Sequence, residues 1–346
     1  MNKIKTALLS YGMSGKVFHA PFIELHSGFE LIGAWERSKK LIQNDYPNVK
    51  SYTTLEELLT DDIDLVIVNT PVDTHFQYAK QALNAGKHII VEKAFTTTAK
   101  EAEILKKLAN EKGLKLAVYQ NRRWDSDFKT VKSVLDENVL GEIVEAEIRF
   151  DRYNPQLSAK KWKEAKNDGA GILKDLGPHI IDQALCLFGY PNAVFADIRT
   201  LRENSINDDN IDILLYYPDK TVRLHAGFFN KEQLPGFTLQ GRHGSFFKSR
   251  ADIQEDVLKT GKKPNLEDWG KEPVKEEGIL NITLNGEDIR KNVPTIPGNY
   301  YDFFEGVYQS IINNTIEPVT ADDGLKVMQI IEAALESSNQ KKVIDL

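Results

Sequence analysis

The chain has 346 residues, 44 of them Lys or Arg against 51 Asp or Glu, for a net charge of −7. The basic residues are scattered rather than gathered into runs, which argues against a nucleic-acid or anionic-membrane partner. The length exceeds one ordinary core and predicts two domains.

The start, "MNKIKTALLSYG", sets basic residues before an apolar run too short for a signal peptide, and no apolar stretch approaches the ~18 residues of a membrane span. A soluble, cytoplasmic protein is expected. The runs "IKTALLS", "FELIGAWE", "IDLVIVNTP", "KHIIVEK" and "LKLAVYQ" are apolar and branched, as strands buried on both faces should be. Between them, "KVFHAPFIELH", "TLEELLT", "HFQYAKQALNAG" and "TAKEAEILKKLANEKG" repeat apolar residues at three and four, and Gly86 and Gly113 mark two helix ends. This alternation predicts a Rossmann-type, doubly wound parallel sheet over 1–121, with its ligand at the carboxyl ends of the strands.

The first turn, "LLSYGMSGKVFHAP", matches a dinucleotide fingerprint with serine in the first glycine slot: Ser10, Gly12, Gly15, with Met13 and Ser14 at the helix start. Free N–H groups and the helix dipole favour a pyrophosphate near Gly12 and Gly15. Ser10 needs only to be small, and its hydroxyl is expected to touch nothing. Glu36 ends the next strand, where a carboxylate holds ribose hydroxyls and favours NAD. The adjoining Arg37 and Ser38 suit the 2′-phosphate of NADP. NAD is the favoured of the two. Thr70 and Pro71 end another strand at the same crevice, and His75 just beyond them either touches the cofactor or caps the helix. "VEKAF" places Glu92 and Lys93 at a strand end facing the cofactor; such charges are often solvated caps, but a lysine beside a nicotinamide can hold a substrate hydroxyl and exchange its proton. "YQNRRWDSDF" adds Asn121, Arg122, Arg123 and Trp124, read either as cofactor and substrate contacts or as an inter-domain hinge held by ion pairs.

After Asn121 the pattern changes. One helical stretch, "DSDFKTVKSVLDENVLG", leads into alternating runs such as "IVEAEIRFDRY", "IDILLYYP", "TVRLHAGFF" and "GFTLQGRHGSFFKS", which predict a largely antiparallel sheet with one face covered by helices. Arg152, Tyr153 and Trp162 are candidate cleft residues there. In "GAGILKDLGPHIIDQALCLFG", Pro178 predicts a helix start, and Asp175 and His179, four apart, then share one face, with Asp182 beyond. An aspartate there orients a general acid–base histidine, or it caps the helix above a core histidine. Gly169 and Gly171 allow close approach to a ligand. Cys186, the sole cysteine, rules out an intrachain disulfide and reads as buried filler. Residues 261–278 read as a surface loop, and helices are expected at 299–314 and 322–340. No metal is required.

In order, the variant fingerprint with "VFHAP", then "NTPVDTHF", "AGKHIIVEKAF", "NRRWDSDF" and "DLGPHIIDQAL", resemble the glucose-fructose oxidoreductase/inositol dehydrogenase (Gfo/Idh/MocA) family over nearly the whole chain, closest to its scyllo-inositol 2-dehydrogenase branch. The resemblance implies a Rossmann domain at 1–121 and an α/β substrate and oligomerisation domain at 122–346, whose open, mostly antiparallel sheet joins a homo-dimer or homo-tetramer. It also implies NAD or NADP and a sugar or cyclitol alcohol oxidised reversibly to a ketone. The family's Glu-Lys-Pro motif falls on Glu92, Lys93 and Ala94, its aspartate and histidine on Asp175 and His179. Lys93 and His179 then bind the reacting hydroxyl, Asp175 sets the histidine tautomer, and Arg123, Trp124 and Tyr153 line the substrate. Trp162 falls with Asn121 on the cofactor side. Two rivals stand beside this reading: a glycosidase using hydride transfer as a temporary step, which the same lysine and histidine would serve, and a non-enzymatic dinucleotide sensor, which loss of the lysine or histidine would have favoured.

Overall fold

The computed structural model describes residues 3–36, 39–158, 164 and 169–346. The chain divides into two compact units, Met1–Asn121 with Ile253–Trp269 and Asn299–Leu325, and Arg122–Asp252 with Gly270–Gly298 and Lys326–Leu346. The stretch 122–346 is therefore shared between the units.

In the first unit, strands β1 (Ile4–Leu8), β2 (Phe29–Trp35), β3 (Lys50–Tyr52), β4 (Leu65–Val68), β5 (His88–Glu92) and β6 (Leu116–Tyr119) form one parallel sheet in the order β3-β2-β1-β4-β5-β6. Leu65 to Val68 are wholly buried, which is why the central strand β4 reads as an unbroken apolar run. The edge strand β3 escapes such a reading, because only Tyr52 of its three residues is buried. Helix α1 spans 13–25, and its turn Gly15–His19 is π-helical. The short helices α2 (Ile42–Asp45) and α3 (Leu55–Thr60) follow; Thr54 caps α3 by accepting the Glu57 N–H. Helices α4 (Val72–Asn84) and α5 (Ala99–Lys112) complete the crossovers, and α5 stops at Gly113, whose φ of +65° is the left-handed cap expected there.

Aromatic packing recruits the later segments to this unit. Phe304, on the helix Tyr301–Ile312, stacks on Phe22 of α1 at 5.5 Å, and Phe303 meets the Tyr119 ring edge-on at 4.9 Å. Val319 accepts the Val118 N–H, which covers the outer edge of β6. Within the expected loop at 261–278, Trp269 is buried and donates its indole N–H to Gln254.

The second unit holds helix α6 (Ser126–Asp136) and a nine-stranded sheet in the order β14-β13-β12-β11-β7-β10-β9-β8-β15. Its strands are β7 (Ile143–Asp151), β8 (Ala193–Arg199), β9 (Asn210–Tyr216), β10 (Thr221–Gly227), β11 (Phe237–Gly241), β12 (Gly244–Lys248), β13 (Gly278–Leu284), β14 (Glu287–Val293) and β15 (Ile344–Asp345). Among the described strands of this sheet, only β7 and β10 pair in parallel. The run "GFTLQGRHGSFFKS" folds back on itself as the β11–β12 hairpin. Two helices, α7 (Ile172–Asp175) and α8 (Gly177–Phe188), lie before β8. All of α8 through Ala184 is buried, but its last turn emerges, and Cys186 is exposed there rather than buried. No helix among the described residues is long and apolar enough to cross a membrane.

Candidate active site

The chain leaves β1 at the switch point between β1 and β4, where strand order reverses and a dinucleotide sits in such sheets. Ser10 shapes the turn. Its Oγ accepts the Gly12 N–H at 3.2 Å, so the hydroxyl is engaged, contrary to the expectation that it touches nothing. Its carbonyl accepts from Asn69 Nδ2 at 2.8 Å. A Cβ on Gly15 would lie 2.3 Å from that carbonyl oxygen, so the third glycine is what lets helix approach strand. Gly12 and Met13 face solvent, leaving the helix start open to an anion. Asn69 Oδ1, buried beside the turn, has no hydrogen-bond partner among the described residues, an acceptor left over for a ligand. These features fit the dinucleotide. Gly15→Ala should therefore weaken NADH binding at least about tenfold and cost about 1–3 kcal/mol of stability; a fluorescence titration and a thermal melt check it, and wild-type values in both would refute the close-approach role.

Glu36 follows β2, but its carboxylate is already engaged. Oε1 accepts the Leu41 N–H at 2.6 Å, and Oε2 accepts the Ile42 N–H at 3.2 Å and the Ser51 hydroxyl at 3.0 Å. It thereby caps α2 and ties β3 to the loop. Arg37, Ser38 and Trp162 lie outside the described residues.

At the end of β5, Glu92 gathers three groups. Ser14 Oγ donates to Oε1 at 2.5 Å, His19 Nε2 lies 2.9 Å from Oε1, and the Lys93 N–H donates to Oε2 at 3.2 Å. Burial pushes the Glu92 pKa up, but the His19 and Ser14 hydrogen bonds outweigh it and hold the carboxyl below its usual range. The dinucleotide turn and the lysine backbone thus share one anion. The Lys93–Ala94 peptide is cis. His75, expected to touch cofactor or cap its helix, is instead 1% exposed, with Nδ1 2.9 Å from the Ala94 carbonyl and Nε2 2.8 Å from the Thr70 carbonyl. Burial pulls its pKa down against the pull of those two acceptors. It is turned inward as the first buried residue of α4, which begins at Val72 after Pro71. Thr70 Oγ1 bonds the Thr74 hydroxyl at 2.7 Å, and Asn121 is buried after β6.

In the second unit, Asp175 and His179 do not share one helix. Asp175 closes α7 and is exposed, Leu176 breaks the helix, and Pro178 stands in the first turn of α8 with the buried His179 beside it. Arg123, expected to bind substrate, chelates the buried Asp182 through Nε at 2.8 Å and Nη2 at 2.7 Å, a bidentate ion pair that anchors α8. Gly171, with φ +94°, serves packing rather than a ligand: a Cβ there would lie 2.0 Å from Asp208 Oδ1. Tyr153 is exposed and bridges Phe229, and the Arg152 guanidinium stands 5.2 Å from the Phe150 ring. Trp124 is half-buried after Arg123.

Sequence reading overlooked a buried polar core in this unit. Arg250 donates to the Arg149 carbonyl and to Gln183 Oε1, and its guanidinium lies 4.6 Å from the Phe150 ring and 4.7 Å from that of Phe237. Asp125, paired with Arg122 at 3.1 Å, is pushed well above its usual pKa by burial. Arg122 and Asp125 stand three apart, but no local spacing signals the partners of Arg250, which lie up to 101 residues away.

A six-stranded parallel sheet with a glycine turn at its switch point, followed by a large mixed sheet, is the architecture of a dinucleotide-binding α/β protein. The family description "oxidoreductase family, NAD-binding Rossmann fold" matches residues 4–120, and "oxidoreductase family, C-terminal alpha/beta domain" matches 132–346. Scyllo-inositol 2-dehydrogenase (NADP(+)) IolW of Bacillus subtilis strain 168 is 38% identical, covering 100% of this chain and 97% of its own. The crystal structure of a Bacteroides fragilis NCTC 9343 protein superposes with a TM-score of 0.91 at 43% identity over 100% of both chains. That of an oxidoreductase from Bacillus cereus gives 0.92 at 31% identity over 99% of each. The chain belongs to the Gfo/Idh/MocA oxidoreductase family, and its cofactor is NAD or NADP.

Proposed function

We propose that this protein is an NAD(P)-dependent dehydrogenase that interconverts a secondary alcohol of a cyclitol or sugar with its ketone, a scyllo-inositol-like ring being the favoured substrate. One observation carries the reading: Lys93 follows directly on Glu92, whose carboxylate also holds Ser14 of the dinucleotide turn. The name of the Bacillus subtilis relative supports the choice of a cyclitol. When bound, the nicotinamide supplies the acceptor and donor of a hydride.

Lys93 binds the reacting hydroxyl, takes its proton as the carbon-bound hydride departs, and returns it in the reverse direction; His179, buried in the second unit, is the further candidate for substrate binding. Asp175, exposed at the end of α7, accepts from a neighbouring substrate hydroxyl or orients His179. Trp124 and Tyr153 offer rings to the apolar faces of the substrate. NAD is the favoured form, because the acidic residue after β2, Glu36, is of the type that suits ribose hydroxyls rather than the 2′-phosphate of NADP.

Cyclitols, aldoses and their ketones, screened with NAD and NADP at 340 nm, test this reading. Turnover of a cyclitol, faster with NAD, is expected. A protein that binds dinucleotide but turns over no cyclitol or sugar would sink the reading. His179→Ala should lower kcat on the best substrate by about 10²-fold, and an unchanged kcat would remove the histidine from the reaction.

A further inference from the structure

Two histidines grip the chain on either side of Lys93. Before the lysine, His19 is wholly buried, its ring 4.5 Å from that of Tyr119, and its Nε2 meets Glu92 Oε1 at 2.9 Å. After the lysine, His75 is equally sealed, its Nδ1 2.9 Å from the Ala94 carbonyl and its Nε2 2.8 Å from that of Thr70. Neither ring reaches solvent, so neither can exchange a proton with a substrate. We propose that His19 and His75 are positioning residues that hold the backbone of Lys93 from both sides.

The proposal rests on the reading of Lys93 as the residue that binds the reacting hydroxyl. A lysine has four rotatable side-chain bonds, and here it stands on a loop past the last residue of β5. Displacement of a reacting group by about 1 Å can cost about 10²-fold in rate, so the backbone needs anchors. Two are built in. His19 belongs to the π-helical turn of α1, where the widened turn aims its ring at β5. His75 belongs to the first turns of α4 and stands between the Thr70 and Ala94 carbonyls, and an N–H at Nδ1 donates to Ala94. The anchors meet the chain at different ring atoms: His19 through Nε2, His75 through Nδ1 on the lysine side.

That difference makes the test specific. A glutamine amide reaches about where Nε2 lies and an asparagine amide about where Nδ1 lies. His19→Gln should keep kcat within about threefold of wild type, and His19→Asn should lower it about tenfold or more. At position 75 the order should reverse, with His75→Asn active and His75→Gln impaired. If the two histidines only fill space, the two amides will behave alike at each site, and that result overturns the proposal.

A second readout does not depend on turnover. Reductive ¹³C-methylation of the cofactor-free protein, with the Lys93 signal assigned by Lys93→Arg, should show that signal displaced in the two impaired variants alone. Glu92→Gln, which keeps both rings and the side-chain shape, should displace it too, and keeps the question decidable if a histidine variant fails to fold. An unmoved signal in Glu92→Gln and in the impaired variants counts against the proposal. Wild-type turnover by Lys93→Ala would instead sink the reading of the lysine, leaving the methyl signal to judge the anchors.

Discussion

Replacing Lys93 with alanine is expected to lower kcat by about 10³-fold, about 4 kcal/mol of transition-state stabilisation. The binding of NADH should stay within about threefold, because the turn at Ser10 to Gly15 and the open start of α1 do not include the lysine side chain. A loss in kcat with intact cofactor binding separates a role in proton transfer from one in holding the dinucleotide. Lys93→Arg should not rescue, since a guanidinium keeps its proton at any working pH and cannot alternate between donor and acceptor. Steady-state rates at 340 nm, on the alcohol turned over fastest, measure the effect. Wild-type turnover by Lys93→Ala would end the proposed mechanism.

The second large effect concerns stability. Lys248 and Glu272 form an ion pair at 2.6 Å, and both side chains are 0% exposed. Lys248 also donates to the Glu276 carbonyl at 2.7 Å, and Ser126 Oγ donates to Glu272 at 2.5 Å. Lys248→Met removes the cation and leaves a buried carboxylate without its charge partner, at a cost of about 3–5 kcal/mol. A fall in Tm of about 10 °C follows for a unit of this size. The double variant Lys248→Met/Glu272→Leu should recover most of that loss, because two apolar side chains need no compensation in a low-dielectric interior.

The pH dependence has a definite sign. Burial already pushes the Glu272 pKa up, and loss of the lysine raises it further. A raised carboxyl pKa means that the folded chain binds the proton more readily than the unfolded one, so stability is lost as the pH rises. The deficit of Lys248→Met is therefore full at pH 7 and narrows as the pH falls toward the ordinary glutamate value of about 4.3. Thermal melts between pH 5 and 8 check it, and a deficit below about 1 kcal/mol at pH 7 would show that water reaches the site.

Local physics determined what could be read from the sequence alone. Strands buried on both faces are mainly apolar, so β1, β2, β4, β5 and β6 announced themselves, and Gly113 marked a helix end because the left-handed cap is a property of one residue. The dinucleotide turn was legible for the same reason, since Ser10, Gly12 and Gly15 act within one strand-to-helix junction. The position of Lys93 past β5 followed from the strand that precedes it.

Tertiary structure alone decided the rest, because it depends on partners remote in sequence. His19 finds Glu92 across 73 residues, and Arg123 finds Asp182 across 59, which turns an expected substrate contact into an anchor for α8. Asp175 and His179 matched a single helix by spacing, yet Leu176 ends one helix and Gly177 begins the next, with Pro178 in its first turn. Phe303 and Phe304 carry 299–325 into the first unit by ring packing that no periodicity encodes. Spacing along the chain reports which residues share a turn or a face; only burial and pairing in three dimensions report which of them are left to meet a ligand.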